Sequence, residues 1–474
     1  MQNFIGRKKE RKILQEALDS ASAEMVAVIG RRRVGKTLLI NHTYQDHIVF
    51  KIAGSPNAPL EEQLRIFTEQ LNIIGEQQFE QPKDWLDAFF NLRTAIAPLI
   101  KTEKKVIFFD EIPWLASSNT GFLRGLDFFW NNWANTQKIV IALCGSAASW
   151  MIQNVVNNTG GLHNRITRYI HLSPFTLGET EEFIQSLHLR FNRYQITQIY
   201  MAMGGIPHYL KELRKGRSAI QNIDDTCFSQ TGLLRYEFNN LYRALFQSAD
   251  YHIEIIRALA KKQKGLTRDE ILKQAKVAAG GTVSRVLTEL EESGFIHSYH
   301  PFGKKKKGML YRLTDEYSLF YLNFIDDKTN IGEGTWQYFS QTSQYKAWSG
   351  YAFESICLKH VEQIRKAIGI AGVYTQNASF IKKGTKTEAG TQIDLLIDRN
   401  DQVINLVEVK FYNKEFTLTK AYANRIQQKI WVFEEETKTK KLISPVLVTT
   451  YGLKENEYSL NLIEHTVILD DLFQ

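Results

Sequence analysis

The chain contains few of the residues that define disulfide-rich or zinc-binding proteins. Only three of its 474 residues are cysteine, and Cys144, Cys227 and Cys357 lie far apart, without the paired spacing of a metal site. Neither a disulfide framework nor a zinc centre is therefore expected. The sequence also has no apolar run near the ~18 residues that a membrane span needs, and no signal sequence precedes Phe4. We therefore predict a cytoplasmic protein without a membrane partner.

Internal repeats and low-complexity linkers are absent as well, which leaves an ordinary globular organisation. A chain of 474 residues is too long for one hydrophobic core, so three or four domains are expected. Its 43% apolar content supplies the buried surface that these domains need. The 59 basic and 51 acidic side chains give a net charge of +8, which permits a polyanionic partner without requiring one.

The most informative segment is Gly30 to Thr37, which reads Gly-Arg-Arg-Arg-Val-Gly-Lys-Thr. It follows the apolar stretch Met25 to Ile29 and precedes a helical pattern, so it has the form of a strand, a glycine-rich loop and a helix. Such a loop directs backbone N–H groups and a helix N-terminus at one phosphate. Lys36 would reach the β- and γ-phosphates of ATP, and Thr37 would bind Mg²⁺. The predicted nucleotide-binding residues are Gly30, Arg31, Arg32, Arg33, Val34, Gly35, Lys36, Thr37 and Leu38.

Two further strand ends carry polar residues suited to the same site. Lys104 to Glu111 is an apolar strand that ends in two carboxylates, as expected of a neighbouring parallel strand. Asp110 would hold Mg²⁺, and Glu111 would orient or deprotonate the attacking water. Ser146, after the strand from Lys138, would hydrogen-bond the γ-phosphate or the water. An acidic pair in a solvated loop and an ordinary Gly-Ser turn are the alternatives.

The pattern changes along the chain from an α/β core to helices. Through about Ser149, strands alternate with helical stretches such as 61–74 and 85–101, which indicates an α/β nucleotide-binding core. From Thr180 to about Leu213 the pattern is helical and is broken at Gly204-Gly205. We expect a small helical lid here, whose angle changes with the nucleotide state.

Residues from about Tyr251 to Leu313 predict three helices followed by a β-hairpin. This order is typical of a winged helix, whose third helix can enter the major groove of DNA while the hairpin contacts phosphates. The predicted DNA-binding residues are Thr282, Ser284, Arg285, Lys304, Lys305, Lys306 and Lys307. The alternative is that this domain contacts protein or relays motion and that the lysine run is a solvated turn.

The C-terminal part carries a second set of acidic residues. Asp394 lies on one predicted strand, Glu408 and Lys410 share one face of the next, and Glu354 lies on a preceding helix. This set resembles the metal-dependent nuclease core PD-(D/E)XK, although Ile393 stands where the motif has proline. The resemblance implies that Asp394 and Glu408 bind Mg²⁺, that Lys410 activates water and that Glu354 completes the cluster. Tyr412, Lys414, Lys420 and Tyr422 add aromatic and basic groups downstream.

Taken together, these motifs resemble the prokaryotic, archaeal-type AAA+/STAND-like P-loop ATPases that carry a winged helix and a C-terminal nuclease-like domain of the DUF234 type. Further matching segments are Phe4 to Glu10, the arginines before Ser173-Pro-Phe175, and Gly204 to Pro207. By this resemblance, the adenine would be bordered by Phe4, Ile5, Gly6, Arg7 and Pro207. Arg165 or Arg168 would sense the γ-phosphate, either within one chain or across a subunit boundary.

We therefore predict an α/β multidomain protein. The predicted parts are a P-loop ATPase core with a parallel sheet (1–170), a helical lid (171–235), a winged helix (236–330) and a restriction-endonuclease-like α/β domain (331–474). The predicted function is an ATP-hydrolysing switch that acts on DNA, with ATP and Mg²⁺ as ligands. Two alternatives remain: a signalling or scaffold ATPase, and a DNA-binding regulator, in each of which the C-terminal domain cleaves nothing. A protein partner and oligomerisation are possible in each of these cases.

Overall fold

The computed structural model describes ten stretches of the chain: residues 4–74, 78–116, 120–157, 164–246, 248–262, 264–277, 280–303, 308–329, 331–384 and 390–474. It divides into two compact units. The first comprises residues 1–174, 243–247 and 288–294, and the second comprises 175–242, 248–287 and 295–474.

The first unit is built on a five-stranded sheet whose neighbouring strands all run parallel. Its strands are β1 (Glu24–Ile29), β2 (Ile48–Ala53), β3 (Lys105–Asp110), β4 (Ile139–Gly145) and β5 (Arg168–His171). The strand order is β2-β3-β4-β1-β5. We expected β3, which ends at Asp110, to lie next to β1, which precedes the glycine-rich loop. This expectation is wrong, because β4 lies between β1 and β3. All three strands are still parallel, so their carboxyl ends share one edge.

Helices pack around this sheet, as its buried strands require. They are α1 (Lys8–Asp19), α2 (Lys36–Thr43), α3 (Leu60–Ile74), α4 (Trp85–Ile96), α5 (Ile112–Leu115), α6 (Phe122–Asn132) and α7 (Ala148–Met151). The helices predicted over 61–74 and 85–101 are confirmed, although the second ends at Ile96. Asp84 fixes the start of α4 because its carboxylate accepts hydrogen bonds from two backbone N–H groups. Interlocking aromatic rings fill the core beside β3, among them Phe67, Trp85, Phe89, Phe109 and Phe122.

Helices follow along the chain after the first sheet. They are α8 (Leu177–Ser186), α9 (Arg193–Met203), α10 (Pro207–Leu210), α11 (Ala219–Cys227) and α12 (Glu237–Leu245). The predicted helical pattern from 180 to 213 is confirmed, and it is interrupted after α9 where Gly204 has φ of 66°. Reciprocal side-chain and backbone hydrogen bonds start α8, α9 and α11.

The three helices and two strands predicted between about 251 and 313 are also confirmed. They are α13 (Ala249–Ala260), α14 (Arg268–Ala275), α15 (Gly281–Glu292), β7 (Ile296–Tyr299) and β8 (Leu310–Leu313). The prediction missed a short strand, β6 (Leu266–Thr267), which pairs antiparallel with β8 in the sheet order β6-β8-β7. Lys304, Lys305, Lys306 and Lys307 lie outside the described residues.

The C-terminal part forms a second, mixed five-stranded sheet in the order β15-β13-β11-β10-β9. The strands are β9 (Thr375–Lys382), β10 (Thr391–Arg399), β11 (Val403–Lys410), β13 (Leu442–Thr449) and β15 (His465–Val467), with β12 (Phe416–Thr417) and β14 (Leu453–Lys454) forming a separate pair. The helices are α16 (Glu316–Phe324), α17 (Thr335–Phe339), α18 (Ser343–Lys359), α19 (Val361–Ala367), α20 (Lys420–Thr437) and α21 (Glu457–Leu462). The α/β multidomain fold class is confirmed.

Within the described stretches, every helix is too short or too polar to cross a membrane.

Candidate functional sites

The loop between β1 and α2 has the backbone shape of a phosphate-binding loop. Gly30, Arg33 and Gly35 have φ angles of 147°, 73° and 96°, respectively. A Cβ atom on Gly30 would lie 2.3 Å from the carbonyl oxygen of Leu172, so this position requires glycine. Gly35 is the residue immediately before α2, where positive φ turns the chain into the helix. The loop therefore curls over the N-terminus of α2.

Lys36 and Thr37 begin α2 and are both held by neighbouring groups. The Lys36 side chain is buried, and its Nζ donates a hydrogen bond of 3.0 Å to the carbonyl oxygen of Arg31 within the loop. The Thr37 hydroxyl donates to Asp110 Oδ2 at 2.8 Å. This contact joins the loop to the end of β3, since Thr37 and Asp110 are 73 residues apart in sequence. The two predicted Mg²⁺ ligands thus lie side by side.

Glu111 lies just beyond Asp110 and points toward β4. Its backbone has φ of 47°, and its N–H donates to Asp110 Oδ1 at 3.0 Å. Glu111 Oε2 accepts hydrogen bonds from the backbone N–H of Ser146 at 3.1 Å and from the Ser146 hydroxyl at 2.8 Å. The sheet order explains this contact because β3 and β4 are direct neighbours. The structure therefore brings together Thr37, Asp110, Glu111 and Ser146.

The segment predicted to border the adenine begins beside α2. The Phe4 ring stacks on His42 with a centroid distance of 4.7 Å, and the guanidinium of buried Arg7 donates to the carbonyl oxygen of Val34 at 3.3 Å. Ile5 is half-buried and Gly6 is buried. Leu38 is exposed on α2, as is Arg32 in the loop. Pro207 is the first residue of α10, in the second compact unit. No sequence pattern predicted the stacking of His42 on Phe4.

The two candidate sensor arginines lie at the other edge of the sheet. Arg168 is the first residue of β5, and its guanidinium is 3.8 Å from the carboxylate of Glu24, the first residue of β1. Arg165 lies in the turn directly before β5. The glycine-rich loop follows the last residue of β1, and β5 runs parallel to β1. Strand direction therefore separates both arginines from the loop of the same chain. Contact with a neighbouring subunit's nucleotide remains a prediction.

The four predicted residues of the C-terminal site line one cavity of about 470 Å³. Glu354 comes from α18, Asp394 from β10, and Glu408 and Lys410 from β11. The register explains this placement: Leu395 pairs with Val407, so Asp394 and Glu408 come next on adjacent antiparallel strands. The register of β10 with β9 also shifts between Ile393 and Leu396, so the pairing is irregular at Asp394.

Glu354 is held by a buried arginine that the sequence prediction missed. The Arg312 side chain on β8 is 8% exposed, and its Nη2 lies 2.8 Å from Glu354 Oε1 and 3.2 Å from the Ser355 hydroxyl. Burial and then the charge of Asp394 raise the pKa of Glu354 to about 7, even though Arg312 acts in the opposite direction. Arg312 lies far from the acidic cluster in sequence, and only the fold brings it there.

Both carboxylate oxygens of Glu408 are occupied by groups from α20. The Tyr422 hydroxyl donates to Oε2 at 2.7 Å, and the ammonium of Lys429 forms an ion pair with Oε1. The amide of Gln392 donates to Asp394 Oδ1. Lys410 Nζ lies 4.8 Å from the centre of the Tyr422 ring, and burial lowers the pKa of Lys410 while Glu408 opposes that change. Lys429 was not predicted as a site residue.

Carboxylate oxygens on three adjacent elements are the donor type that Mg²⁺ prefers. Nevertheless, over the ranges that the structure covers, no group of three or more His, Cys, Asp or Glu side chains is close enough together to hold a metal ion. The carboxylates of this cavity instead contact cations and hydroxyl or amide donors.

Three predicted DNA-binding residues are exposed at the start of α15. Thr282, Ser284 and Arg285 face solvent, whereas Val283 and Val286 are buried. This alternation leaves the polar face of the helix accessible.

Comparison with known proteins finds similarity to an ATPase family in the first part of the chain. Residues 4–213 match the model of a family described as an ATPase domain predominantly from Archaea. Over 415 residues the chain is 25% identical to the uncharacterized protein MJECL04 of Methanocaldococcus jannaschii, with 86% of this chain and 87% of that protein covered.

The chain is also similar to solved structures, and the first of these shares its fold. The Walker-type ATPase PABY2304 of Pyrococcus abyssi is similar with a TM-score of 0.51 and 18% identity, over 67% of this chain and 96% of that chain. The ORC2 protein of Aeropyrum pernix is more distant, with a TM-score of 0.41 and 15% identity over 72% of this chain and 98% of that chain. The match of residues 4–213 to this family confirms the prediction of an ATP-hydrolysing enzyme.

Proposed function

We propose that this ATPase is a nucleotide-controlled switch that acts on DNA, and that its C-terminal cavity is a divalent-cation-dependent phosphodiesterase site. The observation that carries the proposal is the convergence of Glu354, Asp394, Glu408 and Lys410 on one cavity. These residues come from one helix and two strands, so nearness in sequence does not account for their meeting.

In the nucleotide site, the residues that bind ATP are already close together. Lys36 donates to the neutral carbonyl oxygen of Arg31, and a phosphate oxygen would replace this acceptor because charge-assisted hydrogen bonds are stronger. The hydroxyl of Thr37 and the carboxylate of Asp110 are hard oxygen donors that fit Mg²⁺, which would neutralise charge on the phosphates. Glu111 would then orient the attacking water.

The contact between Ser146 and Glu111 supports a role in switching. While Ser146 donates to Glu111 Oε2 through both its backbone N–H and its hydroxyl, this oxygen is engaged with Ser146 and less available to a water molecule. Entry of a γ-phosphate near Ser146 would offer its hydroxyl a charged acceptor and release Glu111. In this way hydrolysis would depend on correct seating of the triphosphate.

The remaining parts would transmit the nucleotide state to DNA. We retain 1–170 as the ATPase core, 171–235 as a lid, 236–330 as a winged helix and 331–474 as the nuclease-like domain. The order α13-β6-α14-α15-β7-β8 and the antiparallel sheet support the winged helix. The exposed residues Thr282, Ser284 and Arg285 would contact the major groove, and Lys304 to Lys307 the phosphates.

In the C-terminal cavity, Asp394 and Glu408 would hold Mg²⁺, which supplies a water of lowered pKa and stabilises negative charge on a phosphate. Lys410 would position that water, and burial lowers its pKa. Glu354 would complete the acidic side of the cavity. Binding of Mg²⁺ at this position requires Glu408 to give up its contacts with Lys429 and Tyr422.

The contacts of Glu408 also favour a second candidate, a DNA-binding regulator or scaffold ATPase that cleaves nothing. A carboxylate already satisfied by Lys429 and Tyr422 can have a purely structural role. The lack of metal-binding spacing among the described carboxylates points the same way. In this case the cavity would bind a partner, and only the nucleotide site would be catalytic.

Plasmid nicking separates the two candidates. We expect Mg²⁺- or Mn²⁺-dependent nicking by the full-length protein, lost in Asp394→Ala and in Lys410→Ala, with ATP binding unchanged in both variants. Nicking that persists in both variants would exclude this cavity as the site. Duplex binding without nicking, weakened by raised salt and by neutralising Lys304 to Lys307, would establish the regulator instead.

A further inference from the structure

One face of α20 forms the wall of the C-terminal cavity opposite the acidic residues. Tyr422, Arg425, Ile426 and Lys429 all line the cavity, and their spacing of three, four and seven residues puts them on one side of the helix. Ala423, Ile426, Val432 and Phe433 are buried and attach the helix to the domain. The position of this face is therefore fixed by packing.

The ion pair between Lys429 and Glu408 joins a more exposed cation to a buried anion. The Lys429 side chain is 26% exposed, whereas that of Glu408 is 9% exposed. Lysine has a flexible stem that ends in a compact charge, so its ammonium can move away while the backbone of α20 stays in place. Glu408 lies on a central strand of the sheet and has no comparable freedom.

The charges around the cavity are poorly explained by a metal ion alone. Four cationic side chains, Lys346, Lys410, Arg425 and Lys429, line it together with three anionic ones. One of the three, Glu354, already has an additional partner in Arg312. A divalent cation would add positive charge to a wall that is already cationic. The cavity is thus suited to a cation and an anion bound together.

On the basis of the phosphodiesterase function proposed above, we propose that Lys429 and Arg425 bind the phosphate of a nucleic-acid strand, and that Lys429 exchanges Glu408 for a phosphate oxygen when a divalent cation binds that carboxylate. Arg425 is exposed and can form paired hydrogen bonds with a phosphate. Lys429 in this account acts as the counter-ion of Glu408 until metal and substrate arrive together.

A purely structural Lys429 predicts a different response to mutation. If Lys429 only supported Glu408 as a ligand, its removal would weaken the binding of a divalent cation. If Lys429 competes with the cation for Glu408, its removal strengthens cation binding and weakens phosphate binding. The two accounts therefore differ in sign.

The test uses the full-length protein and two probes. Mn²⁺ binding is measured by calorimetry, and the part lost in Asp394→Ala is assigned to the cavity. Binding of the dinucleotide TpT, which is too short to occupy a winged helix, is measured in saturating Ca²⁺. Lys429→Met is expected to bind Mn²⁺ about tenfold more tightly and TpT about tenfold more weakly.

Two further variants make the result specific. Lys440→Met removes the same charge from an exposed position outside the cavity and should alter neither affinity. Arg425→Ala is an exposed change that leaves Glu408 untouched, so it should weaken TpT binding and leave Mn²⁺ binding unchanged.

Weaker Mn²⁺ binding and unchanged TpT binding in Lys429→Met would overturn the exchange and assign Lys429 a structural role. Unchanged TpT binding in Arg425→Ala would remove Arg425 from the phosphate site. If the wild type binds no more Mn²⁺ than Asp394→Ala does, the proposed phosphodiesterase function fails and this inference fails with it.

Discussion

The two candidate sites satisfy their carboxylates in different ways. In the nucleotide site, Asp110 and Glu111 accept hydrogen bonds from the neutral hydroxyls of Thr37 and Ser146. In the C-terminal cavity, Glu354 and Glu408 are paired with cations from β8 and α20. A hydroxyl can turn and itself become a metal ligand, whereas a displaced cation needs a new anion. The comparison indicates that the first site is ready for its ligand and that the second must exchange partners.

The largest expected effect concerns the nucleotide site. Lys36→Ala should lower ATP turnover about a thousandfold because the only side-chain cation at the start of α2 is lost from the phosphates. The measurement is phosphate release at saturating ATP, with exposed Lys9→Ala as a matched control. Turnover near the wild-type rate would show that the loop does not hold the reacting phosphates.

The cation pairing of the second site is tested by Arg312→Met. Removing this buried partner of Glu354 should destabilise α18 locally by about 3 kcal/mol. Hydrogen exchange of α18 amides measures this change. The double variant Arg312→Met with Glu354→Gln should recover most of the loss, since no buried charge is then left alone. If the single and double variants lose the same amount of local stability, then the packing of the arginine matters and its charge does not.

Glu111→Gln tests whether neutral partners keep the first site intact. The amide oxygen of glutamine can still accept from Ser146, so ATP affinity should stay close to wild type. Turnover should fall about a hundredfold because the amide cannot accept a proton from water. Nucleotide binding and hydrolysis are measured on the same preparation. Unaltered hydrolysis would reject the role of Glu111.

The smallest effect is a pH dependence confined to the second site. The pKa of Glu354 is raised from the ordinary 4.5 to about 7, so the folded protein favours the protonated carboxyl. The resulting stabilisation is fully present below the ordinary pKa and is lost as the pH rises through about 7. Wild type should therefore lose thermal stability relative to Glu354→Gln between about pH 5 and about pH 8. A constant difference in melting temperature would contradict the raised pKa.

The sequence predicted most of the nucleotide site because its chemistry lies in one continuous motif. Gly30 to Thr37 must adopt the loop wherever a strand precedes it and a helix follows. The order of the strands in the sheet was harder to predict from the sequence. Parallel strands are joined by crossovers, so their order along the chain does not show that β4 lies between β1 and β3. The position of the two arginines was inaccessible for a related reason, since the sequence does not show where β5 begins.

In the C-terminal cavity, the sequence predicted the acidic residues and Lys410. Glu408 and Lys410 alternate along one strand, and this period is visible in the sequence. Arg312, Arg425 and Lys429 reach the cavity from β8 and α20 through tertiary packing, and basic residues on helices and strands are common. Consequently the sequence suggested the carboxylates and Lys410, and the structure adds the other cations that balance them.

The most direct test of the account follows ATP turnover and plasmid integrity in the same reaction. We predict that wild type hydrolyses ATP and nicks DNA only with a divalent cation, that Asp394→Ala keeps its ATP turnover and leaves the plasmid intact, and that Lys36→Ala loses its turnover. Two results would contradict the assignment of two chemistries to this chain. One is nicking by Asp394→Ala at the wild-type rate, and the other is a plasmid that stays intact while the wild type hydrolyses ATP.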